Sequence, residues 1–363
     1  MGPKREWGRN VNGTGERELL EIDGSTGGGQ LLRTALTLSA ITGRAFRMHD
    51  VRQTRPNPGL KPQHLAGVRL VSDLCDGDVT GASPESESLT FRPATLRPES
   101  TRIDIGTAGS VTLLFDTVLP IASRFDDSYQ LTVTGGTDVK WAPTVEYYRQ
   151  VKLPLLARYG MDAEVELSKT GFYPRGGGEA TLRTEPSRLR SIPLPERGTL
   201  ECVEVYSKAA VGLAEGKVAD RQATHARTRL EAMGVPTRVR QVEYVPTNSL
   251  GSSLLLRGVY ENSLVGFDAL GERGRTSEDV ANVAVREFLA FDGGSGAVDS
   301  YMADQLLVFL ALQGGRVRIP TVTAHVRANL EVIEQFGGDV HVVRRGDAII
   351  LDASCGAISK PSA

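Results

Sequence analysis

His325 lies in the stretch "RIPTVTAHVRANLEVIEQF" and has the surroundings of a reactive group. An apolar strand ends at Pro320, Thr323 is a helix-capping residue type, and His325 then falls in the first helical turn. The positive end of a helix dipole disfavours an imidazolium, which keeps the ring neutral near pH 7. A neutral imidazole can attack an electrophilic phosphorus. The competing reading is a histidine that only packs. His49, His225 and His341 occupy ordinary strand or helix positions, whereas His64 opens a helix beside a basic loop and can touch a phosphate there.

Anion chemistry is also written in two loops. In "EIDGSTGGGQLLRTALTLSAITG", residues 21 to 43, three glycines stand between a strand end and an apolar helix. A helix N-terminus offers unpaired N–H groups, and glycine lets the backbone approach an anion closely. Arg33 follows where a P-loop would have Lys-Ser/Thr, and G-x-G-x-x-G is absent, so the loop is of neither common phosphate-binding type. A plain tight turn is the other reading. The second loop, "RQTRPNPGLKPQH", sets Arg52, Arg55 and Lys61 among three prolines, with Gln63 and His64 at the next helix start. Prolines stiffen it, which lowers the entropy lost on gripping an anion; a solvated loop would look similar.

A third constellation lies in "VDSYMADQLLVFLALQG". Tyr301, Asp304 and Gln305 share one helix face, being three and four residues apart. An aromatic ring, a carboxylate and an amide together suit a nucleotide, and a capped helix with a polar first turn is the alternative.

These residues need a scaffold, and the pattern supplies one. Strand "LLEID", helix 30–42, strand "FRMHDVR", helix 62–75 and strands "DVTGA" and "LTFRP" read βαβαββ. The order recurs in "TRIDI", helix 108–123, "YQLTVTG", helix 143–160, "DAEVELS" and "EATLRTE", an internal repeat of about eighty residues. It breaks after the linker "EPSRLRSIPLPERG", and resumes with helices near 276–291 and 299–313, a strand, helix 323–337 and two strands. The expected division is a flexible arm over 1–17, a large repeat domain over 18–188 and 277–357, and a small inserted α/β domain over 189–276.

Composition narrows the class. The 363 residues carry 40% apolar and 24% charged side chains and a net charge of −2, which fits a soluble globular protein and excludes a general electrostatic binder of nucleic acid. No apolar run approaches the ~18 residues of a membrane span. The polar start lacks a secretory h-region, and Cys75, Cys202 and Cys355 have no metal spacing, so reduced thiols in the cytoplasm are expected. Arg outnumbers Lys by 34 to 8, and the guanidinium fork suits phosphate oxygens, although genome composition bias gives the same skew.

Taken together, "DGS…GGGQLLRTAL", "RPNPGLKPQHL", "IGTAGSVTL", "TGGTDVKWAP", "GFYPRGGGE", "YMADQL" and "AHVRAN" resemble the RNA 3′-terminal phosphate cyclase family, in its order, from about residue 19 to 355. The resemblance implies an α/β fold of the α+β type, with three βαβαββ repeats and a smaller inserted domain. It implies an ATP-dependent conversion of an RNA 3′-phosphate to a 2′,3′-cyclic ester, with Mg²⁺ or Mn²⁺ and an adenylyl-histidine intermediate. By the resemblance His325 is the adenylylated residue. Tyr301, Met302, Ala303, Asp304 and Gln305 contact the nucleotide with Asp116, and Pro143 packs on the adenine. Arg33, Arg52, Arg55 and Gln63 handle phosphates.

Three departures stand out. The glycine loop lacks the metal-holding glutamate of the family's usual G-x-G-E-G-G-G-Q, leaving Asp23 or Asp304 for that task. Asp116 stands where relatives often have glutamine, and Ala328 where threonine is frequent. The missing glutamate favours a second reading, a catalytically inactive cyclase-like RNA-binding factor of ribosome assembly, against which the retained histidine speaks. An enolpyruvyl transferase, which also stacks βαβαββ units, lacks support in the lysine and arginine pattern. Oligomeric state has no signal in the sequence.

Overall fold

The structure, a computed structural model, describes residues 19–25, 28–354 and 358. The expected N-terminal arm, Thr26, Gly27 and Cys355 lie outside the described residues.

The first repeat runs β1 (Leu20–Asp23), α1 (Gly29–Thr42), β2 (Phe46–His49), α2 (Pro62–Cys75), β3 (Asp78–Thr80) and β4 (Leu89–Arg92). Its sheet order is β1-β2-β4-β3, with only the first pair parallel. The second repeat has β5 (Thr101–Asp104), α3 (Val111–Ala122), β6 (Tyr129–Gly135), a broken helix, β7 (Ala163–Lys169) and β8 (Gly178–Thr184), in the matching order β5-β6-β8-β7. The broken helix consists of α4 (Val145–Tyr147), a π-helical turn (Tyr148–Lys152) and α5 (Leu153–Ala157). Pro154 cannot donate a helical hydrogen bond, and the wide turn lies just before it.

The third repeat opens with β9 (Ile192–Leu194) and is then interrupted by β10 (Leu200–Ala210), a 3₁₀ turn (Val211–Leu213), α6 (Val218–Glu231), β11 (Thr237–Val245), β12 (Ser252–Tyr260), β13 (Leu264–Leu270) and α7 (Ser277–Asp292). It resumes as α8 (Ser300–Gln305), α9 (Leu307–Gln313), β14 (Gly315–Ile319), α10 (Ala324–Gln335), β15 (Val340–Arg345) and β16 (Ala348–Ala353). Its sheet, β9-β14-β16-β15, repeats the order of the other two. The interrupting strands form a separate sheet, β11-β10-β12-β13.

Two elements fall on the other side of the division drawn from the sequence. Ile192–Leu194 sits in the expected linker, yet pairs in parallel with β14. The α7 helix, expected to belong to the large unit, buries Val280, Ala281, Ala284, Val285, Phe288 and Phe291 in the small core with Val203, Val205 and Leu254. The insertion therefore enters after β9 and leaves after α7. The large core is continuous through all three repeats, and α1 packs against α2, α3 and α10. Alternation does this locally: Ile22, Phe46 and Met48 are buried while Glu21 and Arg47 face solvent. Among the described residues no helix is long and apolar enough to cross a membrane.

Candidate active site

Helix α10 starts as its sequence predicts. The Thr323 hydroxyl accepts the Val326 N–H at 3.1 Å, which places His325 in the first turn, exposed. Burial of part of the ring, then the charges of Arg33 and Arg55, hold its pKa below the ordinary histidine value. One turn further along the same side of α10, the helix is tied to α1, where Thr34 Oγ1 donates to Asn329 Oδ1 at 2.7 Å inside the core. That bond fixes Arg33, one residue earlier, relative to His325.

The start of α1 closes on the basic loop. A Cβ at position 28 would lie 3.3 Å from an Arg55 guanidinium nitrogen, and one at position 29 would lie 2.2 Å from His64 Nε2. Gly29 thus allows a contact that any side chain would forbid. His64 Nδ1 accepts the Lys61 N–H at 3.0 Å. Burial first, then Arg33, Arg52 and Lys61, push its pKa down to about 3. The ring is therefore neutral, and its remaining proton sits on Nε2, facing the glycine turn. Arg52 also has a structural task beside its expected one. One guanidinium nitrogen donates to the carbonyls of Asn57 and Gly59, each at 2.9 Å, so it shapes the loop that presents Arg55. Gln63 Oε1 accepts the Ser110 N–H at 2.8 Å and links this loop to the turn before α3.

A buried charge cluster lies behind these groups. Arg33 feels both Asp116 and Asp304, and its burial outweighs them, lowering its pKa. Asp116 is ion-paired with Lys152, whose ammonium also lies 4.9 Å from the Tyr148 ring centroid. Burial, with the charge of Asp116 adding to it, pushes the Asp304 carboxyl up to about 7; a Gln30 hydrogen bond and the charges of Arg33 and Lys152 oppose the shift. Between about pH 4 and 7 the folded chain keeps this proton while the unfolded chain has lost it, so stability falls as pH rises across that window. Asp304→Asn removes the penalty. In the ligand-free protein its unfolding free energy should exceed wild type by about 1 kcal/mol near pH 4.5 and by about 4 kcal/mol at pH 8. Urea unfolding at the two pH values checks this, and a gap independent of pH contradicts it.

The face on which the sequence resemblance places a nucleotide is built from two anchored segments. Asp299 caps α8 by accepting the Met302 N–H at 2.9 Å, and also accepts from the Gly266 N–H and the Tyr147 hydroxyl. Asp268 accepts the N–H of Thr144, next to Pro143, at 2.8 Å. Pro143 is fixed further, because its carbonyl accepts the Thr112 hydroxyl at 2.8 Å. Tyr147 meets Tyr301 edge-on with ring centroids 6.2 Å apart, bringing the corner after Pro143 to the face of α8. Met302 and Ala303 point into the core, and Gln305 Oε1 is buried with no hydrogen-bond partner among the described residues.

For a metal the donors separate. Asp23, His49 and Asp50 offer ligand atoms all within 4.8 Å of one another, where β1 and β2 end beside the glycine loop. Asp304 lies instead inside the Arg33–Asp116–Lys152 cluster.

His325, Arg33, Arg55, Gln63, His64, Asp116 and Asp304 thus occupy one connected region. Sequence reasoning missed Lys152, Asp268, Asp299, Gln30 and Asn329. A lone lysine in the apolar run "VKLPLLA" was a usable signal for Lys152, and an aspartate just before "SYMAD" for Asp299. The others have no local signature.

Known proteins agree with the sequence resemblance. The model of the family described as RNA 3′-terminal phosphate cyclase matches residues 25–342. An RNA 3′-terminal phosphate cyclase of Halobacterium salinarum is 44% identical over 344 residues, covering 92% of this chain and 99% of its own. Those of Pyrobaculum aerophilum and Pyrococcus furiosus are 41% and 37% identical, covering 87% and 90% of this chain and 92% and 96% of theirs. With a family match over most of its length and relatives this similar end to end, the chain belongs to the RNA 3′-terminal phosphate cyclase family.

Proposed function

We propose that the protein converts an RNA 3′-phosphate to a 2′,3′-cyclic phosphodiester at the expense of ATP, through an adenylate on His325. The observation that carries this reading is an exposed imidazole, held unprotonated in the first turn of a capped helix and facing two arginines. An imidazole nitrogen attacks the ATP α-phosphorus, and pyrophosphate leaves. The RNA 3′-phosphate then takes the adenylyl group from the histidine. The 2′-hydroxyl attacks the 3′-phosphorus, loses its proton and displaces AMP as the cyclic ester closes. Each step brings anions together, and Arg33, Arg55 and the Nε2–H of His64 stabilise their crowded charge. Activation supplies the leaving group, so the weak hydroxyl nucleophile chiefly needs positioning.

The adenine would rest between Pro143 and Tyr301, with the unpartnered Gln305 Oε1 as acceptor for a base donor and Asp304 toward the ribose and phosphates. A divalent cation fits Asp23, His49 and Asp50; two carboxylates and an imidazole suit Mn²⁺ better than Mg²⁺. Such an ion would neutralise triphosphate charge at the rim of the loop. The chemistry takes place in an aqueous compartment that holds ATP and RNA, which accords with the cytoplasm.

The deciding measurement is incubation with α-labelled ATP and Mn²⁺ or Mg²⁺, followed by mapping. An acid-labile, alkali-stable adenylate on His325 is expected. No label over a range of metals supports the RNA-binding factor instead. Arg55 is exposed on the loop while Arg33 lies deeper, so the two should divide the work. Arg55→Ala should slow RNA cyclisation about tenfold more than self-labelling, within the range of a lost charge-assisted contact. Equal loss in both steps, measured by single-turnover kinetics, contradicts that division.

A further inference from the structure

The described residues include eight exposed large hydrophobic side chains, and four of them, Trp141 at 93%, Tyr173 at 74%, Leu250 at 66% and Val211, fall on four segments that meet. Asp138 and Phe172 form a parallel bridge, so Trp141 and Tyr173 leave the same point of the fold three residues and one residue later. Phe172 packs on Gly251, where an added Cβ would lie 2.4 Å from its ring, and this seats Leu250 beside Tyr173. Leu250 in turn covers Gly212, next to Val211. Isolated exposed apolar residues need no explanation, but four on adjoining segments, two of them aromatic, do. Trp141 adds a second oddity: a bulky residue in the left-handed region, φ 64°, held there with its ring in solvent.

The patch connects to the reactive region along a continuous backbone path. Gln63 holds Ser110 N–H, and the turn containing Thr107 and Ala108 packs on Gly176, where an added Cβ would lie 2.8 Å from Ala108 Cα. From Gly176 the chain leads directly to Arg175 and Tyr173. This loop is pinned to the inserted unit, since Arg175 N–H donates to Ser249 Oγ at 3.1 Å. The Arg175 side chain is exposed and makes no ion pair among the described residues, in contrast to its neighbour Lys140, which is paired with Glu272. The order outward from Arg55 is therefore amide, turn backbone, free guanidinium and aromatic rings.

We propose that this strip binds the nucleotides that precede the 3′ end of a single-stranded RNA, with Tyr173 and Trp141 stacking on bases and Arg175 meeting a backbone phosphate. The assignment rests on the cyclase reading for the position of the end itself. Stacking platforms interleaved with arginine are how proteins hold single strands without reading their sequence, because every base offers a π-face. A net charge of −2 makes this the more necessary, because the chain as a whole does not attract RNA. The expected consequence is a preference for ends several nucleotides long over a mononucleotide.

Two ligands test it: a 3′-phosphorylated octanucleotide and a nucleoside 3′,5′-bisphosphate. Affinities are read in a Trp7→Phe background from Trp141 emission, and for the Trp141 variants by competition. Trp141→Leu and Tyr173→Leu should each weaken the octanucleotide about tenfold, in the range seen for lost base stacking. The bisphosphate should change less than twofold, and self-labelling by ATP alone should be unchanged. Trp141→Phe should restore most of the octanucleotide affinity, since it keeps a ring where leucine keeps only apolar bulk. An unchanged octanucleotide affinity in the double leucine variant overturns the proposal. So does an equal loss for both ligands, or a raised ATP requirement in self-labelling, which would place Trp141 at the adenine. If wild-type protein binds the octanucleotide in this pattern yet never cyclises it, the cyclase reading fails while the binding strip stands.

Discussion

His325→Asn is expected to reduce adenylate capture from ATP by about 10⁴-fold or more, the scale of losing a covalent nucleophile. Asparagine occupies similar space and forms no stable N–P bond of the imidazole kind. The side chain is exposed, and the Thr323 cap and the Thr34–Asn329 bond are untouched. Unfolding free energy should therefore stay within about 0.5 kcal/mol of wild type, which separates loss of chemistry from loss of fold. The pH profile adds a second readout. Burial and the charges of Arg33 and Arg55 lower the His325 pKa, so the attacking neutral form persists below pH 6.5. The midpoint of the acid decline in wild-type labelling should therefore lie below the ordinary histidine value. A midpoint at or above that value would mean that the arginines do not act on the ring. Urea denaturation and rapid-quench labelling at several pH values supply both measurements.

What the sequence made legible was what short-range chemistry controls. Thr323 before an amphipathic run sets the start of α10, and with it the place of His325; no tertiary information is needed. The two complete repeats were readable because each of their elements announces itself by periodicity and a turn. The third was half hidden. Its first strand has three residues, sits between prolines, and finds its partner β14 only across the whole insertion, so nothing local marks it. The pattern of α7 says that one face is buried, and not which core receives it. Arg52 shows a different limit: composition identifies a charge in a stiff loop, but whether a guanidinium serves a ligand or its own carbonyls depends on where Asn57 and Gly59 turn. Asp116 was legible as a departure from the family and not as half of an ion pair, because its partner is 36 residues away on another helix.

That pair carries the second large effect. Lys152→Met is expected to destabilise the protein by about 3 kcal/mol, near the lower end for breaking a buried ion pair, because Asp116 is left without its cation. The lysine side chain is 2% exposed and the aspartate 13%, so water compensates little. Asp304 makes the loss worse, since its carboxyl already feels Asp116, and Lys152 is one of the groups, with Gln30 and Arg33, that offset this. Asp116→Asn should cost somewhat less, about 2 kcal/mol, as an ammonium can lean on the Tyr148 ring. The double replacement Asp116→Leu with Lys152→Met should recover to within about 1 kcal/mol of wild type, because two matched desolvation costs disappear along with the attraction. Urea unfolding at pH 7 of these proteins, together with Asp116→Leu alone, closes the cycle, and additive losses would show that the pair is not coupled. If the stability of the double variant returns while its ATP affinity does not, the pair is kept for the field it makes at Asp304 and Arg33. The buried Asp116 carboxylate would then be tolerable only because a lysine in the π-helical turn answers it.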